Sequence, residues 1–277
     1  MEPFVLKTII SFLVGGLSVA AQSILAERHP RVGGLIISVP CTLPIDLFFI
    51  GWSDGMGAAM KAASIVPIAI ALILVFSTVF IYSAQYGDRK IKSLLVANIS
   101  SLSVWFILAF LIISFRVDNL GLELGVYIVV LSLTAYLLYY RQRRQSPKAL
   151  TTTTGPTGMN IALRALFGGL IICSSVILSK VLTPLWGGVF SVFPATYLST
   201  FNIIYMNVGK KHLLAVGKTI PEGSVFFLIY VILAYFLFAF GILWGTILAE
   251  LITITLIIIF AKLRRLTGSQ TDPGGTV

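Results

Sequence analysis

The sequence predicts an all-α integral membrane protein of about nine transmembrane helices, built as two inverted four-helix units joined by one connecting helix. Three observations lead there. The chain is 57% hydrophobic and 11% charged, with mean hydropathy +0.99, whereas a soluble domain carries roughly 25% charged residues. Its charges gather in short segments between long apolar blocks. A set of landmarks also occurs twice in one order. Gly15-Gly16-Leu17, Gly33-Gly34, Pro40 with Thr42, and Pro67 return as Gly168-Gly169-Leu170, Gly187-Gly188, Pro194 with Thr196, and Pro221, with a slip of one residue before the second Gly-Gly pair.

A membrane helix needs about 17–25 apolar residues at a rise of 1.5 Å each. The apolar blocks predict spans at 4–25, 32–51, 62–85, 91–115, 119–140, 159–181, 187–206, 222–240 and 241–263. The first resembles a signal peptide, with Lys7 ahead of an apolar run and Ala20-Ala21 behind it. Its internal counterpart around Gly168 makes it part of the repeated unit instead. The last two spans share a block, Gly223 to Ala261, whose one charge is Glu250. As one helix that block exceeds a ~30 Å hydrocarbon core, so it folds back, at Gly241 or Gly245. Nothing alternates in the manner of barrel strands. The expected organisation is a first unit over 1–115, a connecting helix and basic linker over 116–158, a second unit over 159–266 and a disordered tail over 267–277.

The charges orient the chain. With nine alternating spans, the side away from the N-terminus receives Arg28, Arg31, Arg89, Lys90, Lys92, Arg141, Arg143, Arg144, Lys148, Lys210, Lys211, Lys218, Lys262, Arg264 and Arg265. The N-terminal side receives Lys7, Lys61, Arg116 and Lys180, and Arg164 lies inside the start of the sixth span, where it snorkels to headgroups. Cytoplasmic loops carry the excess of Lys and Arg. The expectation is a multi-pass inner-membrane protein with its N-terminus outside and C-terminus in the cytoplasm. Loops that are basic in one unit are poor in Lys and Arg in the other. A repeat turned upside down by the odd connecting span produces that inversion.

Inverted units can exchange two packings around a central site near the midplane, often where helices are broken. Pro40 and Pro194 are matched near the middle of their spans, and each leaves a carbonyl free. Gly33, Gly34, Gly187 and Gly188 let backbones approach closely. The same residues also serve packing and bending alone. Ser38, Thr42 and Asp46 recur at i, i+4 and i+8 and so share one helix face; Thr196 and Thr200 hold the matching places of Thr42 and Asp46. Thr246, Glu250 and Thr253 share a face of the last span, and Asn98 with Ser101 a face of the fourth.

Asp46 and Glu250 are read as the only carboxylates within the spans. An ionised carboxylate in hydrocarbon costs at least a few kcal/mol. Two readings stand: a proton- or cation-coupling or charge-recognition site, or, for Asp46, a side chain reaching the outer interface.

The net charge of +10 lies in inter-span loops and on no amphipathic face, which argues against nucleic acid as a partner. Cys41 and Cys173, His29 and His212 form no cluster with metal-ligand spacing, so neither a metal nor another cofactor is expected. No set of catalytic groups gathers at a membrane face, and no nucleophile elbow or phosphate loop occurs, so the chain is not read as an enzyme.

The paired four-span units resemble the drug/metabolite transporter superfamily, and Gly187-Gly188 with Phe193-Pro194-Ala195-Thr196-Tyr197-Leu198-Ser199-Thr200 is similar to a signature of uncharacterised prokaryotic four-span membrane proteins. The small multidrug exporters carry an essential Glu in the first span, and here neither 4–25 nor 159–181 holds a carboxylate. The resemblance therefore implies architecture and not their residue-level mechanism. Secondary transport of a small solute across the lipid bilayer is the expected function. A non-transporting membrane subunit or scaffold, and a channel or lipid scramblase, are the alternatives.

Overall fold

A computed structural model describes residues 3–28, 39–86, 90–115, 120–140, 158–207 and 209–268. Among these the regular structure is helical, without a strand, and eight helical stretches are long and apolar enough to cross a membrane. The protein is an all-α, multi-pass membrane protein. Its helices are α1 (Pro3–Arg28), α2 (Thr42–Asp54), α3 (Met56–Ser83), α4 (Lys90–Phe115), α5 (Leu120–Ala135, running into a π-helical turn Tyr136–Tyr140), α6 (Gly158–Val181), α7 (Pro184–Ser191), α8 (Ala195–Asn207), α9 (Lys210–Gly217), α10 (Ile220–Leu237, ending in a 3-10 turn Phe238–Phe240) and α11 (Ile242–Gly268). The expected linker over 141–157 and most of the expected tail, 269–277, lie outside the described residues, as do Gly33, Gly34 and Ser38.

The core is built around α3. Every residue from Ile65 to Leu74 is buried, and a helix apolar on all sides is stable only when other helices enclose it. Helices α2, α4, α5, α7 and α10 do so. The outer helices instead turn apolar stripes outward, among them Leu95, Ile99, Phe106 and Phe110 on α4 and Leu251 and Ile258 on α11. These are lipid-facing surfaces of a membrane bundle.

Sequence expectations meet three differences. The predicted span 187–206 is two helices, α7 and α8, parted by Val192–Pro194, and the described end of span 32–51 likewise begins with non-helical Val39–Cys41 before α2. Both non-helical stretches hold the matched prolines, and at Pro194 the missing N–H and the ring's clash keep α7 from running on into α8. Second, the chain ahead of α10 forms the separate helix α9, whereas the corresponding stretch of the first unit is fused into α3. Pro67 is therefore inside a helix and Pro221 at the start of one. Third, Lys61 belongs to α3 rather than to a loop. The fold-back at Gly241 occurs as expected, at φ +98, a conformation open to glycine at no steric cost.

Helices α1 and α6 form the most extensive contact in the bundle. A Cβ on Gly16 would meet the Ala165 carbonyl oxygen at 2.7 Å, and one on Gly169 would meet that of Phe12 at 2.6 Å. Gly15 faces Ile172 as Gly168 faces Val19. The start of α1 and the end of α6 both lie by the end of α2, through Lys7 with Trp52 and Lys180 with Asp54, so the two helices run in opposite directions. Lys7 donates to the Trp52 carbonyl (2.5 Å) and Asp54 pairs with Lys180 (2.8 Å), which gathers the start of α1 and the ends of α2 and α6 at one end of the bundle. At the other end Lys210 donates to the Gln85 carbonyl (3.0 Å) and Tyr139 to Glu222 (2.8 Å).

Candidate functional site

Asp46 sits on α2 with no solvent exposure. Because α2 continues to Asp54, Asp46 lies about two turns inside the helix end, and the reading in which it reaches the interface does not hold. The residue at that end is Asp54, which takes Lys180 as its ion-pair partner and the Ser179 hydroxyl as a donor at 3.4 Å. One oxygen of Asp46 accepts a hydrogen bond from Ser175 of α6; the other is buried and has no hydrogen-bond partner. A carboxylate enclosed in this way needs a proton, a cation or a further donor.

Glu250 on α11 is half-buried, with Oε2 enclosed and lacking a hydrogen-bond partner. Its helix packs against α2, which begins just after Cys41 of the first helix break, and against α10, where Tyr230 is fully buried. The break itself is held by Gln22 of α1, whose side-chain amide donates to the Val39 carbonyl at 2.9 Å and whose oxygen accepts from the Cys41 thiol at 2.7 Å. Gln22 thus ties α1 to the start of α2, and α2 in turn packs against the helix that carries Glu250.

The second break has a different lining. Trp105 of α4 is fully buried and stands edge-on to Phe190 and Phe193, with ring centroids 5.6 and 5.0 Å away. Gly187 and Gly188 are packed to the limit. A Cβ on Gly187 would lie 2.7 Å from Ser179 Cβ, and one on Gly188 would press into the Ala62 carbonyl of α3. Close backbone approach is their use here.

The other expected residues divide. Asn98 and Asn202 join α4 to α8 through a reciprocal amide pair. Thr42 begins α2 beside the first break, Thr196 is exposed and Thr200 half-buried. The single face expected for Ser38, Thr42 and Asp46 does not extend through Val39–Cys41, since i, i+4 spacing aligns side chains only along continuous helix. Thr246, Thr253 and Ser101 donate to carbonyls of their own helices, a common use of hydroxyls in apolar surroundings.

Three groups escape a reading of the sequence. Glu123 is a further carboxylate within a span, 2% exposed on α5, and Glu222 opens the span 222–240, so Asp46 and Glu250 do not stand alone; Glu123 lies in plain view inside 119–140. Gln22 and Ser175 hold matching places after Gly15 and Gly168, and the repeat register could have found them. Among the described residues no group of three His, Cys, Asp or Glu side chains suits a metal ion.

Residues 161–264 match the family model described as "Protein of unknown function (DUF3147)". The match runs from α6 into α11 and covers less than half of the chain. No curated protein matches the chain. No solved structure matches it either.

Proposed function

We propose that the protein is a secondary transporter of a small solute, working by alternating access between two inverted four-helix units. The observation that carries the reading is the exchange symmetry of the α1–α6 contact. Gly16 faces Ala165 as Gly169 faces Phe12, and Gly15 faces Ile172 as Gly168 faces Val19. When Gly15 and Gly16 are matched with Gly168 and Gly169, each contact maps onto its partner, as at a two-fold interface. Since the helices are antiparallel, the axis lies across them, in the plane of the bilayer. Helix breaks at Pro40 and Pro194, one in each unit, fit the same plan. The family match, which lies within the second unit alone, supports treating that unit as separable.

On this reading Asp46 and Glu250 are the coupling or charge-recognition groups. Asp46 reaches across the seam between units to Ser175, so its protonation or its binding of a cation bears on how the units pack. The helix of Glu250 packs against α2 of the other unit. The protein resides in the inner membrane with its N-terminus outside and its C-terminus in the cytoplasm, as the distribution of Lys and Arg implies.

The test is uptake into liposomes carrying the full chain under an imposed pH gradient, across a panel of small charged and neutral solutes. Saturable, gradient-driven uptake of at least one solute is expected. Glu250→Gln is expected to remove its dependence on pH while the protein stays folded. Flux rising linearly without saturation would support a channel or scramblase, and absence of flux for the whole panel a non-transporting subunit.

A further inference from the structure

The two half-helices that follow the breaks are not held alike. Helix α2 is wedged among α1, α3, α6, α7 and α11, and Leu43, Pro44, Asp46, Leu47, Phe49, Ile50 and Gly51 are all buried. Helix α8, its counterpart, buries only Phe201 and Tyr205 among its described side chains. The ring of Phe201 lies 5.2 Å from that of Phe80 on α3. Described non-helical residues flank α8 on both sides. Non-helical Val192–Pro194 precedes it, and Gly209, at φ +100 with nothing within 4 Å of a would-be Cβ, follows it.

One polar contact ties this helix to the rest of its end of the bundle. Asn98 Nδ2 donates to Asn202 Oδ1 at 2.8 Å, and Asn202 Nδ2 donates to Asn98 Oδ1 at 2.9 Å. Each amide also donates to a carbonyl one turn back on its own helix, Leu94 and Leu198, both at 2.7 Å. Each side chain thus uses both amide protons, and its orientation is set from two directions. Carrying the repeat register onward, the matching positions are Ile252 and Phe48, which cannot make such a pair. The amide pair belongs to one end of the bundle only, the end of Gln85 and Lys210.

We propose that α8 is the moving half-helix of the second unit and that the Asn98–Asn202 pair is the latch that holds it against α4. This rests on the transporter reading for its purpose, but not for its physics. Swinging about Val192–Pro194 and Gly209, α8 uncovers the end of the bundle shared with Lys210, while buried α2 keeps the opposite end closed. Release breaks one amide pair. In an apolar surrounding the freed amides find few other partners, yet such pairs are modest, so the latch is reversible.

Hydrogen exchange of the full chain in lipid nanodiscs, followed by mass spectrometry, tests this. Exchange in α8 should exceed that in α2 in the wild type. Asn98→Leu should raise α8 exchange about three- to tenfold, the range expected for an interhelical polar pair in a membrane, and leave α2 unchanged. Asn202→Leu should do the same from the other side. Oxidising the double variant Asn98→Cys/Asn202→Cys should slow α8 exchange, with reversal on reduction. Unchanged α8 exchange in both leucine variants, or an equal rise in α2 and α8, overturns the latch. If the oxidised pair slows α8 and no solute is ever carried, the latch stands and the transporter reading falls. Gradient-driven flux with unaltered exchange keeps the transporter reading and removes the latch.

Discussion

At Gly169 a hydrogen atom stands where any other residue would drive a carbon into the Phe12 carbonyl oxygen, 2.6 Å from the Cβ position. The obstacle is backbone on a packed helix, so it cannot rotate away as a side-chain end would. Gly169→Ala should therefore lower stability by about 1–3 kcal/mol, the usual range for overpacking. Gly57, also helical, has nothing within 4 Å of its Cβ position, and Gly57→Ala should be neutral or stabilising by up to about 1 kcal/mol. Thermal unfolding of the two variants in one detergent checks the contrast; equal losses would mean that the glycine seam between α1 and α6 is not close-packed. Residue chemistry was only partly legible in the sequence. Asp46 and Glu250 stood out because carboxylates are costly in hydrocarbon. That Ser175 meets Asp46, or that Gln22 holds the first break, depends on segments distant in the chain.

Between elements, Gly241 supplies a cleaner test of backbone geometry. It turns the chain from α10 into α11 at φ +98, ψ 151, and no atom lies within 4 Å of its Cβ position. Any effect of Gly241→Ala is then conformational rather than steric. Holding a non-glycine residue in that region costs about 1–3 kcal/mol, and the expected result is a lower unfolding midpoint with no change in helix content. A midpoint equal to that of the wild type would imply that the turn relaxes to another conformation. The fold-back was readable because one helix through 222–263 would overrun the bilayer. Less readable was the division of span 187–206 into α7 and α8. Proline in a membrane helix bends it, kinks it or parts it according to its surroundings, and those surroundings come from other helices: Trp105 packs on Phe193, and Gln22 donates to the Val39 carbonyl beside Pro40. The same holds for α9, whose roughly two lysine-flanked turns are too short and polar to register as a span.

For the whole molecule, the orientation of the two proposed units is the property on which the proposed transport depends. Lys61 on α3 and Lys211 on α9 are both exposed and occupy corresponding regions of the two units. Treatment of intact cells with an amine reagent that cannot cross the membrane should modify Lys61 and spare Lys211. Modification of both, or of neither, would remove the inverted arrangement. The exposed apolar stripes of α4 and α11 should face lipid.

The sequence by itself determined that this chain crosses a membrane many times as helices, where it turns back, and that one set of glycine and proline landmarks occurs in it twice. Those properties follow from hydrophobic length and from residues placed along the chain. Only the tertiary structure decided that Asp46 is sealed against Ser175, that the helix of Glu250 packs against α2, and that α2 is enclosed on more sides than α8, which the Asn98–Asn202 pair joins to α4. These are contacts between segments far apart in sequence, and in an apolar solvent a polar group's role is set by which partner reaches it.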